Sequence, residues 1–162
     1  MRESLGGSML LNLVVIFTGL IIIFFVGILS YSKAYRVKNR IVEIIEKYGT
    51  YEKIDSSTNT NIVTDDLNND LKAAGYETSL SKKCDTIRTR LVNEKYDSSL
   101  SQNINKNYGY NYCVYEMNKS TNSTGKYYVV VTFIHFQVPI IGDFLTLPVY
   151  GETKILGKTY DY

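Results

Sequence analysis

Met9–Leu29 reads MLLNLVVIFTGLIIIFFVGIL, inside a longer run, Ser4–Ser32, that carries no charged side chain. In a helix, 21 residues rise about 30 Å, the hydrocarbon thickness of a bilayer. Only Asn12 and Thr18 place polar side chains in the segment. A cleaved secretory signal has an apolar core of about 7–15 residues followed by a small-residue cleavage site. This run is longer, and the Tyr31-Ser-Lys-Ala-Tyr-Arg that follows offers no such site. The segment predicts a retained single-span anchor, a cell-membrane location and membrane lipid as a partner.

The helical pattern continues past the anchor. In Lys33–Tyr48 (KAYRVKNRIVEIIEKY), Ala34, Val37, Ile41, Ile44, Ile45 and Tyr48 recur at three- and four-residue steps, which makes one apolar helical face. Lys33, Arg36, Lys38, Arg40, Glu43, Glu46 and Lys47 occupy the rest, with Glu43 and Lys47 spaced as an i,i+4 pair. Gly49 suits the left-handed residue that ends a helix. One helix from about Leu5 to Tyr48 is expected. The face formed by Val37, Ile41, Ile44, Ile45 and Tyr48 needs a surface to cover: the chain's own domain, lipid headgroups or a neighbouring copy.

The juxtamembrane basic residues Lys33, Arg36, Lys38 and Arg40 carry two readings. They hold anionic headgroups at about 1 kcal/mol each, or they act as a topology signal, which would leave the following domain in the cytoplasm.

The 162 residues divide into an anchor and stem, 1–49, and a domain, 50–162, large enough for its own core. Thr50–Val63 reads as an irregular linker. Thr64 is expected to cap a short helix, with Asp65 and Asp66 in its first turn, Leu67, Leu71 and Ala74 as its buried stripe and Gly75 at its end. Strands are expected in Thr86–Val92, Tyr108–Met117 and Lys126–Val138 (KYYVVVTFIHFQV), with one or two more in Phe144–Leu156 and a bend at Gly151. The predicted class is α+β: a long N-terminal transmembrane and stem helix, a short helix, then an antiparallel sheet of about four strands.

Cys84 and Cys113 are the only cysteines. In an oxidising compartment they can close a loop worth about 3 kcal/mol; in a reducing one they are two buried thiols. His135 is the only histidine and lies in an apolar strand, so it reads as structural. Nucleophile, phosphate-loop and metal-ligand motifs are missing, and Asp65, Asp66 and Asp70 read as capping and solvation. The expectation is a protein that is not an enzyme, with no cofactor. A net charge of +2 is too small to argue for nucleic acid, and no nucleic-acid partner is expected.

Three stretches carry a family resemblance: Arg2-Glu-Ser-Leu-Gly-Gly-Ser running into the apolar helix, the stem Ser30–Tyr48, and Tyr127–Lys154 (YYVVVTFIHFQVPIIGDFLTLPVYGETK). With them the chain resembles the TadE-like minor pilins, or pseudopilins, of tight-adherence pilus systems, in the divergent Firmicutes form. The resemblance implies a pilin-like fold, an extracytoplasmic domain, and other pilin-like subunits or pilus assembly proteins as partners. It also implies cleavage after a small residue, which Gly6 or Gly7 supplies. The glutamate that many such pilins carry inside the mature helix has no counterpart, since Glu3 precedes those glycines. Two other classes compete with this reading: a membrane-tethered extracellular binding module, and a signal-anchored protein with a cytoplasmic domain.

Overall fold

The computed structural model describes residues 2–56, 60–76, 84–96, 98–105, 112–118, 125–138 and 142–157; for 2–6, 135–138 and 142–146 it describes the backbone alone. The elements are α1 (Arg2–Tyr48), α2 (Ile62–Ala73), α3 (Cys84–Glu94), β1 (Tyr112–Asn118), β2 (Lys126–Val138) and β3 (Gly142–Glu152). The fold is α+β with a long N-terminal helix. Two compact units form: Met1–Lys33 with Ile134–Leu147, and Ala34–Phe133 with Pro148–Tyr162.

The strand order is β1-β2-β3, and β1 pairs antiparallel to β2 with Tyr112 opposite Thr132 and Val114 opposite Val130. Side chains alternate across a sheet, so this register sorts them into two faces. Tyr112, Val114, Tyr128 and Val130 join a core with Val37, Ile41, Ile44 and Ile45 of α1 and Val63, Leu67 and Leu71 of α2. Cys113, Tyr115, Met117, Val129, Val131 and Phe133 join a second core with Cys84, Ile87 and Leu91 of α3. Helices cover both faces, which explains why β2 is apolar at nearly every position instead of at alternate ones.

The helix termini follow local chemistry. α1 stops at Gly49, which takes φ 70° and donates its N–H to the Ile45 carbonyl at 2.9 Å. α2 begins earlier than expected. Its N-cap is Asn61, not Thr64, and the Asn61 side chain accepts from the Val63 N–H at 3.1 Å. The reason is apolar: Val63, Leu67 and Leu71 form the buried stripe, so Val63 belongs to the helix and Ala74 does not contribute to the stripe. Gly75, at φ 61°, then turns the chain.

The expected strand Thr86–Val92 is instead α3. Ile87 and Leu91 share a face in a strand or a helix, but Cys84 lies three residues before Ile87 and shares that face only in a helix. Phe144–Leu156 supplies one strand, β3, followed by an isolated bridge between Lys126 and Leu156. The described sheet therefore has three strands, not about four. The N-terminal part of the expected Tyr108–Met117 strand, 108–111, lies outside the described residues, as does 119–124 of the turn between β1 and β2.

The open edge of β1 is sealed by 101–105. Ser101 and Ile104 N–H groups donate to the Glu116 and Val114 carbonyls at 3.0 and 2.9 Å. In return, the Glu116 and Val114 N–H groups donate to Ser101 Oγ and Asn103 Oδ1 at 2.7 and 3.0 Å. An edge satisfied in this way offers no template for strand addition.

Candidate functional site

The apolar segment is a helix throughout and meets almost no protein. Leu10, Leu13, Ile16, Phe17, Leu20 and Phe24 are each at least 60% exposed. α1 is long and apolar enough to cross a membrane, and none of its most apolar window is buried inside the protein. Each exposed aliphatic side chain forgoes about 1.5–3 kcal/mol of burial in water. Such a surface calls for an apolar partner from outside the chain.

The stem face has a different fate. Ala34, Val37, Ile41 and Ile45 are no more than 2% exposed and Ile44 is 4% exposed, while Tyr48 packs at the margin of the same core. Of the three surfaces considered, the chain's own domain is the one that covers this face. Burial against a neighbouring stem is ruled out for Val37, Ile41, Ile44 and Ile45, because the sheet and α2 already occupy them.

The four basic residues do not act as a group. Arg40 is held by two carboxylates: Nε donates to Asp70 at 2.6 Å and an Nη to Glu43 at 2.9 Å. The hydrogen bond to Asp70, then the one to Glu43, raises its pKa above the ordinary arginine value. Lys38 is buried, with its ammonium 4.0 Å from the centre of the Tyr35 ring. Its aliphatic stem lies over Gly151, where an added Cβ would stand 2.7 Å from Lys38 Cδ. Gly151 thus admits the close approach of a side chain. Lys33 and Arg36 remain exposed.

Two of the α2 acids, expected to cap and solvate, lock the stem instead. Asp66 accepts from the Tyr48 hydroxyl at 2.6 Å and pairs with Lys47 at 3.7 Å; Asp70 pairs with Arg40. Glu43 therefore bonds Arg40, and Lys47 bonds Asp66, in place of the expected Glu43–Lys47 pair. Arg36, Val37, Arg40, Asp70, Leu71 and Ala74 line a groove of about 220 Å³ along this seam. The sequence signal for the seam is the i,i+4 spacing of Asp66 and Asp70, which puts both on one face of α2.

Cys84, at the start of α3, and Cys113, in β1, lie at disulfide distance with Cα atoms 5.7 Å apart. Their neighbourhood is tied down further. The Tyr115 hydroxyl donates to the Cys84 carbonyl at 2.5 Å, and Arg88 donates to the Leu100 and Ser101 carbonyls at 2.6 and 2.8 Å.

The polar groups of the core serve structure. The Tyr51 and Tyr112 hydroxyls are 3.0 Å apart, and Tyr51 donates to Asn105 Oδ1 at 3.1 Å. Burial drives the Tyr51 pKa far up, so this hydroxyl stays a neutral hydrogen-bonding group. Tyr76 bonds both the N–H and the carbonyl of Phe133, and burial pushes its pKa up to about 12. Among the described residues no three His, Cys, Asp or Glu side chains gather as a metal site. The His135 side chain lies outside what is described.

No protein family, curated protein or solved structure matches this chain.

Proposed function

We propose that this protein is a non-enzymatic, membrane-anchored, pilin-like component of a tight-adherence-type pilus or a related assembly apparatus, with its α+β domain held outside the cytoplasm. The observation that carries the reading is α1 itself. One 47-residue helix is an apolar surface in its first part and the core helix of an α+β domain in its second. That division lets a single element serve as membrane anchor and, in an assembly, as an apolar contact between subunits, while the domain's stability does not depend on either role. TadE-like minor pilins are the class it resembles by sequence.

An oxidised Cys84–Cys113 bridge supports the external location, because such bridges persist in oxidising compartments. The stem charges count less against it than their number suggests. Arg40 and Lys38 have structural uses in the folded domain, so their place near the membrane needs no topological explanation.

Photocrosslinking in the native cell from Phe17, at the middle of the apolar part, tests the assembly role. Adducts with other small helix-anchored proteins or a second copy are expected. Adducts with lipid alone would overturn the pilin reading and leave a lone tethered domain. Protease added outside intact cells tests the location. The domain should be lost, and its protection until lysis would favour the cytoplasmic alternative.

A further inference from the structure

The seam between the stem and α2 holds two grooves, and the Arg40–Asp70 pair lines both. Arg40 bonds Asp70 while Tyr48 bonds Asp66, so α2 runs antiparallel to the stem and its last turn lies toward Arg36. On the Lys47 side, Glu43, Lys47, Asp66 and Asn69 complete a polar groove of about 300 Å³. Every charged group there has a partner of opposite sign: Glu43 and Asp70 hold Arg40, and Asp66 holds Lys47.

The groove of about 220 Å³ on the Arg36 side differs in both lining and charge. Val37 and Leu71, both buried, and Ala74, exposed, supply apolar lining. Two cations and one carboxylate complete it. Arg40 holds the carboxylate, Asp70, while Glu43, the other acid on Arg40, lines the polar groove. Arg36 is exposed and makes no ion pair among the described residues. The end of α2 does not call on it either, because the Asp70, Leu71 and Lys72 carbonyls accept from the Ala74, Tyr76 and Gly75 N–H groups at 2.9, 2.9 and 3.0 Å.

On α1, Arg36 follows Ser32, the last residue of the uncharged run, by four positions and Leu29 by seven; these spacings rise about 6 and 10 Å. The headgroup layer adds about 5–8 Å to each side of the hydrocarbon. Helical side chains tilt toward the helix N-terminus, here the direction of the bilayer. The Arg36 guanidinium is therefore within reach of lipid phosphate.

Resting on the membrane-anchor reading, we infer that this groove seats one anionic phospholipid of the surrounding bilayer. Its phosphate meets the Arg36 guanidinium, and its glycerol and first acyl carbons lie over Val37, Leu71 and Ala74. An amphiphile matches both halves of the lining. A free anion would leave the apolar half in water, and an apolar peptide would leave Arg36 without a counter-charge.

The full chain is taken up in micelles with equal amounts of phosphatidylglycerol and phosphatidylcholine and read by native mass spectrometry. One phosphatidylglycerol should stay bound per wild-type chain. R36Q removes the charge and keeps the groove; A74F fills the groove and keeps every charge, with A74L as the smaller filling should A74F unfold. Each should lower the retained fraction by about fivefold, the share one basic residue contributes at an anionic surface. Wild-type retention by the filled groove would reduce Arg36 to a surface charge and overturn the inference, as would wild-type retention by R36Q. Release of the lipid by inorganic phosphate would reassign the site to a free anion, and a bound second chain in place of lipid would reassign it to a copy; either result overturns the lipid. Alkaline extraction of wild type from vesicles reads the anchor separately. A chain that stays in the bilayer but retains no phosphatidylglycerol overturns the groove alone, and a chain that is extracted overturns the anchor reading.

Discussion

The two parts of α1 share one backbone helix and differ in what touches their side chains. In the stem, Ile41 and Ile45 are 0% exposed; before it, the large exposed apolar residues from Met9 to Leu29 are 45–76% exposed. Composition separates the two parts as clearly as burial does. The stem confines its apolar residues to one stripe, because only one side meets the sheet. The earlier part is apolar all round, because nothing in the chain selects a side. A one-sided stripe signals an internal partner and an all-round apolar surface an external one.

The strongest way to break this comparison is to delete side chains from both parts. I41A and I45A should each cost about 2–5 kcal/mol of domain stability, since each opens a cavity in the core shared with β1, β2 and α2. F17A should leave domain unfolding unchanged in detergent. Denaturant midpoints read both. Equal losses from F17A and I41A would mean that the apolar part supports the domain after all.

The next largest effect sharpens the comparison on the other face of the sheet. There a short helix, α3, contributes only three buried side chains, Cys84, Ile87 and Leu91. A covalent link to β1 supplements that small contact. The C84A/C113A chain should lose about 3–4 kcal/mol, for a sequence separation of 29. An unchanged midpoint, with both thiols free by non-reducing mass spectrometry of native membranes, would remove the main support for an external domain.

Smaller effects distinguish the stem charges. R40E would place a carboxylate beside Asp70 and Glu43 and should lower the unfolding midpoint measurably. R36E, at an exposed position that makes no ion pair among the described residues, should change it far less. If R36E destabilises as much as R40E, the direct pairing of Arg40 with Asp70 and Glu43 is not what sets the two apart.

Periodicity makes α1 legible, including its stop at Gly49, and β-branched density does the same for β2. α3 escapes a sequence reading because a four-residue spacing is neutral between helix and strand; the deciding residue, Cys84, draws notice first for its sulfur. Asn61 is hard to see as a cap because Ile62 and Val63 look like the tail of a linker. The stem lock is not legible. Arg40 and Asp70 are 30 residues apart, Tyr48 and Asp66 are 18 apart, and such pairings exist only once α2 lies along α1. The first part of α1 is readable because its apolar surface runs all round and needs no tertiary neighbour to be recognised. The fate of each basic residue is not, because it depends on tertiary neighbours.

The smallest predicted effect lies where β3 meets the end of α3, at Glu152. Its carboxylate accepts from Lys95 Nζ at 2.6 Å and from the Tyr96 hydroxyl at 2.5 Å. The bond from Lys95, and then that from Tyr96, hold the carboxyl below its ordinary value, although partial burial opposes them. A carboxyl lowered on folding stabilises the folded state above its unfolded pKa, near 4.5, and that contribution is lost as pH falls through the folded value. The Lys95 and Glu152 side chains are 61% and 41% exposed, so solvent and salt keep the contribution within about 1 kcal/mol. E152Q should therefore unfold closer to wild type at pH 3 than at pH 7, and added salt should narrow the gap at pH 7. A gap that persists undiminished at pH 3 would show that Glu152 acts through packing and not through its charge.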